Sequence, residues 1–331
     1  VDACGPALRV GPHVSFCPCH SSNRGRRRII SAMHEDVNWP RASAWLAGHA
    51  PGMTKGRLTV LGVPLNFSIT PGNCDRAPRA IRESLVRFST YAYEGADVRE
   101  LIPDDRGDLT LFGGASDANG QIEEAVVQIK DRAVLLGGDN GLTRPAVKGL
   151  ARSLGLGLDR IGLITIDAHH DLRELDGGPI NGNPIRGLLA DGLPGSNVIQ
   201  IGIQSFANSP QYAAVAKQEG IKVVPRGEVR DGQLADVLKS FLLRMPRVDV
   251  VYIDIDLDAM DRAFAPGCPG ARPGGFTPND LREAAFEAGR NPKVRMIDLV
   301  ELGPTKDIND VTAMAGAACM LSFAAGVRAC L

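Results

Sequence analysis

The chain has 331 residues, of which 44% are hydrophobic and 23% are charged, as in an ordinary globular protein with a sizeable core. Its formal net charge of −1 argues against a general nucleic-acid or membrane-surface binder, because such a protein needs a surplus of basic residues. No apolar run approaches the roughly 20 residues of a membrane span. We therefore predict a soluble protein with neither a nucleic-acid nor a membrane partner.

The first 40 residues differ from the rest of the chain in composition. They contain an arginine-rich stretch (24–28) and few apolar residues at the regular spacing of a helix or strand. This composition predicts a disordered tail over 1–40, with a transit peptide or an overextended reading frame as alternatives. Cys17, Cys19 and His20 suggest a zinc site, but no second ligand pair follows at finger spacing. The seven cysteines are scattered, which favours reduced thiols in a cytoplasmic protein.

After the tail, short apolar runs alternate with longer helical patterns in one domain, 41–331. The predicted strands cover 58–63, 108–112, 133–136, 161–166, 198–203, 222–224, 248–255 and 294–299. The predicted helices cover 77–88, 122–130, 144–154, 183–191, 210–219, 233–244, 278–288 and 307–323. Continuous apolar strands are typical of a parallel sheet covered on both faces. We predict a three-layer α/β/α fold with a mostly parallel, doubly wound sheet of about eight strands.

Polar side chains follow the predicted strand 161–166 in the segment Asp167-Ala168-His169-His170-Asp171. Alternation sends Asp167, His169 and Asp171 to one side, where they form a chelate. A charge at the end of a buried strand is unfavourable unless it is paired or bound to a metal. His170 points to the other side, where it is a structural residue, a support for the ligands or a ligand itself.

A second acidic segment follows the strand 248–255, where Asp254-Ile255-Asp256 repeats the spacing and Asp258 and Asp261 continue the acidic run. The proline- and glycine-rich loop that comes next (266–275) is predicted to form a wall of the site. Five hard oxygen and nitrogen donors at one sheet edge suit two divalent ions such as Mn²⁺ better than a thiolate-rich zinc site.

A third strand, 133–136, ends in Gly137-Gly138-Asp139-Asn140, in which the glycines permit close backbone approach and Asn140 offers an amide oxygen. Gly-Gly-Asp-X, Asp-Ala-His-X-Asp and Asp-X-Asp-X-X-Asp, in this order, resemble the ureohydrolase family of arginases, agmatinases and formimidoylglutamases. The resemblance runs from about Gly62 to the C-terminus. It implies hydrolysis of a linear amidine or guanidine C–N bond by a hydroxide between two Mn²⁺ ions, in a homo-oligomer.

The resemblance also assigns roles to individual residues. It implies the metal ligands Asp167, His169, Asp171, Asp254 and Asp256. Asp171 is the expected acceptor of the proton from the attacking water, and Glu301 is expected to hold the cationic end of a small-molecule substrate by charge-assisted hydrogen bonds.

Two positions depart from the family pattern. Asn140 stands where the family usually has histidine, so we expect it to be a weaker, uncharged ligand and one of the two Mn²⁺ ions to be loosely held. Asn181 stands where many relatives have a proton-shuttling histidine. The proton for the leaving amine is then expected to come from Asp171 or His170.

The choice of substrate rests on few residues. Asp171-Leu172-Arg173 resembles the formimidoylglutamase branch, and Arg173 or Arg186 would receive a substrate carboxylate. Asn181 and Asn183 are further substrate-binding candidates. The favoured substrate is formimidoyl-L-glutamate. The alternatives are agmatine or another guanidino compound, a metal-poor relative without catalytic activity, and a deacetylase of similar fold.

Overall fold

A computed structural model describes residues 36, 38–49, 55–70, 72–94, 96–245 and 247–331. The contacts divide the chain into Val1–Trp39 and Pro40–Leu331, and the fold described is that of the second unit. The predicted tail up to residue 35 lies outside the described residues, as do Cys17, Cys19 and His20.

Eight parallel strands form the central sheet, and two further short strands form a hairpin. The ten strands are β1 (Lys55–Val63), β2 (Tyr91–Ala92), β3 (Ala96–Asp97), β4 (Leu101–Asp108), β5 (Arg132–Gly137), β6 (Ile161–Ile166), β7 (Val198–Ile203), β8 (Lys222–Pro225), β9 (Val250–Asp256) and β10 (Val294–Val300). The sheet order is β4-β1-β5-β10-β9-β6-β7-β8, and every neighbouring pair is parallel. All eight carboxyl ends therefore lie at one edge.

Helices cover both faces of this sheet. They are α1 (Ala42–Leu46), α2 (Ala77–Ser84), α3 (Ala115–Val127), α4 (Thr143–Leu154), α5 (Pro184–Asp191), α6 (Pro210–Gln218), α7 (Leu234–Leu243), α8 (Pro278–Arg290) and α9 (Val311–Ala329). Strand alternation separates two apolar cores: Val134 and Leu136 of β5 enter one, and Ala133 and Leu135 enter the other. The predicted three-layer fold with a parallel eight-stranded sheet is confirmed.

One predicted strand is wrong in position. The strand expected over 108–112 is β4, which ends at Asp108 after a largely exposed, acidic stretch. Within the described residues its only partner strand is β1, so β4 is an edge strand and needs no second apolar face. Pro103, which cannot donate to a ladder, is tolerated for the same reason. The apolar residues that suggested a strand, Leu109 and Leu111, instead pack from a loop.

The expectation that no apolar run approaches the length of a membrane span is wrong for the final helix, because α9 is long and apolar enough to cross a membrane. In the fold, 72% of its apolar window is buried, and it packs along α8. Burial within the protein explains its composition, so α9 is a core helix.

The four central strands β5, β10, β9 and β6 are consecutive neighbours. Ligand sites in parallel α/β sheets gather outside the carboxyl ends of the strands. The polar segments singled out in the sequence follow these four strands, and they therefore meet at the middle of one sheet edge.

Candidate active site

The end of β6 places the first acidic cluster. Asp167 is fully buried, and its Oδ1 accepts a hydrogen bond from the backbone N–H of His169 at 2.6 Å. His169 Nδ1 lies 3.4 Å from Asp167 Oδ1 and 3.0 Å from Asp258 Oδ2. The ligand atoms of these three residues lie within 4.8 Å of one another, an arrangement that could hold a metal ion.

Asp258 is the member of this cluster that the sequence analysis left out of the ligand set. Asp256 ends β9, and its Oδ1 accepts the backbone N–H of Asp258 at 2.7 Å, which turns the Asp258 side chain toward His169. The signal was available in the sequence. The spacing Asp-X-Asp-X-X-Asp fits Asp256, Asp258 and Asp261, whereas the predicted ligands began two residues earlier, at Asp254.

Asp254 lies in a different place from the one that the predicted ligand set requires. It is fully buried within β9, pairs in register with Asp298 of β10, and does not line the pocket at the strand ends. Burial, then the charge of the neighbouring Asp298, raises the pKa of Asp254 well above its usual value. Asp254 therefore lies inside the sheet, behind the strand-end cluster.

Asn140 and Glu301 enter from the ends of β5 and β10. Glu301 Oε1 accepts the backbone N–H of Asn140 at 2.9 Å and the side-chain amide of Asn181 at 3.1 Å. Burial, reinforced by Asp139, raises the pKa of Glu301 to about 8. Glu301 (φ 66°) and Asp171 (φ 52°) both have left-handed backbone, a strained conformation that collects at functional sites.

The orientation of the Asn140 amide bears on its predicted role as a ligand. Its Nδ2 donates to Asp171 Oδ2 at 2.5 Å, and its Oδ1 accepts from Thr143 Oγ1 at 2.7 Å. Thr143 Oγ1 is also 2.9 Å from Asp298 Oδ2. Half a turn of the amide would keep both contacts of Thr143 satisfied and present the Asn140 oxygen on the side of Asp171.

The charges at this edge are poorly compensated by protein groups alone. Burial raises the pKa of Asp167 to about 6 and those of Asp171 and Asp256 well above their usual values, with neighbouring carboxylates adding to each effect. The charge of Asp258 raises the pKa of His169 to about 12, although burial of the imidazole acts in the opposite direction. Burial opposes ionisation of Asp258 too, but His169 holds its pKa below the usual value.

The residues present fit divalent cations. Asp258 Oδ1 is buried and has no hydrogen-bond partner among the described residues, and the His169 imidazole takes up a proton where positive charge is needed. Carboxylate oxygens and one imidazole are hard donors of the kind that Mn²⁺ accepts. A cation between them would replace that proton and leave a neutral imidazole as a ligand.

His170 does not reach the site. Its ring Nδ1 lies 2.7 Å from Gln200 Oε1, its backbone N–H donates to Asn208 Oδ1, and it does not line the pocket. Burial lowers the pKa of the His170 imidazole. His170 holds the loop after β6 against β7, and it is not in position to transfer a proton to substrate.

Two of the predicted substrate-binding residues are engaged elsewhere. Arg186 forms an ion pair with Glu174 at 2.6 Å, and Asn183 donates to the carbonyls of Glu174 and Gly178. Neither lines the pocket, whereas Arg173 and Asn181 do. Asn183 therefore stabilises the 174–183 loop by connecting its end to these two carbonyls.

A pocket of about 420 Å³ opens above the acidic cluster. Its polar lining residues include His169, Asp171, Arg173, Asn181, Asn208, Ser209, Tyr212, Asp256, Asp258, Arg272 and Glu301. The predicted wall, 266–275, contributes Pro269, Gly270 and Arg272. A Cβ on Gly270 would lie 2.0 Å from Asp258 Oδ2, so only glycine lets the loop come this close to the carboxylates. Sequence patterns alone did not select Arg272.

Comparison with known proteins yields one family and several relatives. A model of the arginase family matches residues 57–326. The formimidoylglutamase of Halalkalibacterium halodurans is 38% identical over 280 residues, which cover 81% of this chain and 86% of the relative.

Two solved structures are similar. The formimidoylglutamase from Bacillus subtilis has a TM-score of 0.81 and 30% identity, with 89% of this chain and 94% of that chain covered. The formiminoglutamase of Trypanosoma cruzi with two Mn²⁺ has a TM-score of 0.77 and 22% identity, with coverage of 88% and 99%. The second likeness concerns the fold alone.

Proposed function

Because the chain belongs to the arginase family, we propose that it hydrolyses the amidine C–N bond of N-formimidoyl-L-glutamate to give L-glutamate and formamide. The observation that carries this proposal is the charge distribution of the pocket. Buried acids lie at the strand ends and two exposed arginines, Arg173 and Arg272, lie in the loops above them. A cationic amidine suits the first region, and carboxylates suit the second.

The acidic cluster is the proposed site of two Mn²⁺ ions. Asp167, His169, Asp171, Asp256 and Asp258 would hold them, with Asn140 at the edge of the cluster as an uncharged donor. When bound, the two cations would supply positive charge that lowers the pKa of a water molecule and polarises the amidine. The unpartnered Asp258 oxygen and the strongly raised pKa of His169 support this ligand set.

Glu301 orients the substrate in this proposal. Its Oε1 is fixed by Asn140 and Asn181, and Glu301 lines the pocket beside Asp171. An amidinium N–H group donating to Glu301 would form a charge-assisted hydrogen bond, which also keeps Glu301 ionised despite its burial. Asn181 thus supports substrate binding through Glu301.

Asp171 is the group that moves the proton. It lines the pocket, and its Oδ2 accepts from Asn140 Nδ2. It can accept a proton from the attacking water and deliver it to the glutamate nitrogen as the C–N bond breaks. His170, the other candidate, faces Gln200 instead.

Agmatine is the weaker alternative substrate. It carries a guanidinium at one end, a primary ammonium at the other and no carboxylate. Arg173 and Arg272 would repel that second cation, whereas L-glutamate derivatives offer two carboxylates.

The test is hydrolysis by Mn²⁺-loaded protein of formimidoylglutamate, arginine, agmatine and 4-guanidinobutyrate at equal concentrations. We expect formamide and L-glutamate from the first substrate and far lower turnover of the others. A higher kcat/KM with agmatine would overturn the substrate assignment. Inactivity on all four, with two Mn²⁺ bound per chain by elemental analysis, would overturn the hydrolase proposal. The family resemblance also supports a homo-oligomer, which light scattering would measure on the same sample.

A further inference from the structure

Arg272 lies in the pocket wall, two residues beyond the point where that wall touches the acidic cluster. Gly270 is in contact distance of Asp258 and His169, and Arg272 lines the same pocket. The guanidinium is exposed and donates to the carbonyl of Gly270 through Nη1. Among the described residues, no carboxylate lies within ion-pair distance of Arg272, so most of its donors are available.

The loop that carries Arg272 is held in place by Asp261. The Asp261 carboxylate accepts the backbone N–H of Ala263 at 2.8 Å and that of Gly274 at 2.6 Å. The carbonyl of Arg272 accepts the backbone N–H of Arg262 at 3.0 Å. The backbone at position 272 is therefore anchored on both sides, which limits the positions that the Arg272 side chain can reach to the pocket mouth.

Arg173 is the other arginine that lines this pocket, and it belongs to the loop that follows β6. It follows Asp171, one of the strand-end acids, by two positions, and its backbone N–H donates to the carbonyl of Gly182 at 3.0 Å. Its side chain runs along Gly182, where a Cβ would lie 2.6 Å from Arg173 Cδ. Within the described part of the chain it too has no acidic partner. Arg173 and Arg272 are the two cationic side chains among the described pocket-lining residues, apart from His169.

We propose that Arg272 is a specificity-determining residue that binds one of the two substrate carboxylates while Arg173 binds the other. This inference rests on the proposed function. The amidine lies among the buried strand-end acids, so the glutamate moiety extends toward the mouth of the pocket with two negative charges. There it meets two guanidinium groups that have no acidic partner among the described residues. A planar guanidinium can take a carboxylate through two parallel hydrogen bonds.

The experiment combines two variants with three substrates. Arg272→Gln and Arg173→Gln are assayed on formimidoylglutamate, on N-formimidoyl-4-aminobutyrate and on N-formimidoyl-L-glutamine. The second substrate lacks the carboxylate beside the amidine nitrogen, and the third lacks the side-chain carboxylate charge. On formimidoylglutamate we expect Arg272→Gln to lower kcat/KM by about 10- to 100-fold, mainly through KM. On the analogue that lacks its partner carboxylate, Arg272→Gln should match wild type within about threefold.

Each glutamine variant should match wild type on a different analogue, namely the one that lacks the carboxylate bound by the replaced arginine. Arg272→Lys should recover part of the activity lost in Arg272→Gln, because lysine keeps the charge without the planar donor pair. Arg247→Gln is the control, since Arg247 is exposed just before β9 at the opposite sheet edge and the substitution removes the same charge. Unchanged thermal unfolding would exclude a folding effect.

The outcomes separate the two proposals. If wild type hydrolyses formimidoylglutamate but Arg272→Gln has equal effects on all three substrates, or none, the role of Arg272 is overturned alone. If both arginine variants respond to the same missing carboxylate, the assignment of one carboxylate to each is overturned. Inactivity of wild type on formimidoylglutamate overturns the proposed function, and this inference with it.

Discussion

The floor and the rim of the pocket are built in opposite ways. The rim consists of Arg173 and Arg272, which are exposed and belong to loops. The floor lies at the strand ends, mostly buried and tied by short hydrogen bonds, and comprises Asp167, His169, Asp171, Asp256, Asp258 and Glu301. Fixed charges in a low-dielectric region act strongly, whereas exposed charges are screened and must be ordered on binding. The floor therefore suits the chemical step, and the rim suits recognition.

The largest expected effect tests the floor. Asp258→Asn removes the carboxylate that contacts His169, so we expect kcat/KM to fall by about 1,000-fold or more, as expected when metal stabilisation worth several kcal/mol is lost. Bound Mn²⁺, measured by elemental analysis after dialysis, should fall with it, while the circular dichroism spectrum stays unchanged.

The matched control is Asp254→Asn, four residues earlier in the chain and inside strand β9. The substitution keeps the size of the side chain, removes a buried charge beside Asp298 and changes no residue of the pocket lining, so we expect Mn²⁺ content near that of wild type. Loss of metal in Asp254→Asn with retention in Asp258→Asn would reverse the assignment of the ligands.

Glu301→Gln tests the boundary between floor and rim. The substitution keeps the size of the side chain and removes the charge that would hold the amidinium. We expect kcat/KM to fall by about 100-fold, since hydrogen bonds to charged groups contribute up to about 3 kcal/mol. Mn²⁺ content should stay the same, which separates Glu301 from Asp258. Glu283→Gln, at a half-buried position of α8 that does not line the pocket, is the control for loss of a charge. A parallel loss of Mn²⁺ in Glu301→Gln would place Glu301 among the ligands.

The smallest expected effect concerns stability after metal removal. Burial raises the pKa of Asp167 to about 6, and Asp258 raises that of His169 to about 12. Both groups bind protons more tightly in the folded chain than in the unfolded one, so their contribution to stability is present at pH 5 and declines as the pH rises to 8. Chelator-treated protein should therefore be more stable at pH 5 than at pH 8, by about 2 kcal/mol.

Urea unfolding at the two pH values measures this difference. Added Mn²⁺ should stabilise the protein most at pH 8, because the cation then replaces the missing protons. Arg272 is exposed and lies outside the buried strand-end cluster, so Arg272→Gln should show the same pH dependence as wild type. A metal-free protein that loses stability from pH 8 to pH 5 would contradict the proposed crowding of charge on the floor.

Most of the fold was predictable from local pattern. Strands β6 and β7 begin and end at the predicted residues, because their apolar runs are buried on both faces and bounded by polar segments. β4 was misplaced because an edge strand lacks that signal. The family resemblance also led to the right fold and family.

The sequence by itself determined the parallel sheet, the strand-end acids and the family, because burial and periodicity are local properties of the chain. Only the tertiary structure decided which polar groups share one cavity. It joined Asp258 to His169, turned His170 to Gln200, paired Arg186 with Glu174 and brought Arg272 and Arg173 to the same pocket. These outcomes depend on side-chain direction and on loops that meet from distant parts of the chain, which residue spacing along one strand does not encode.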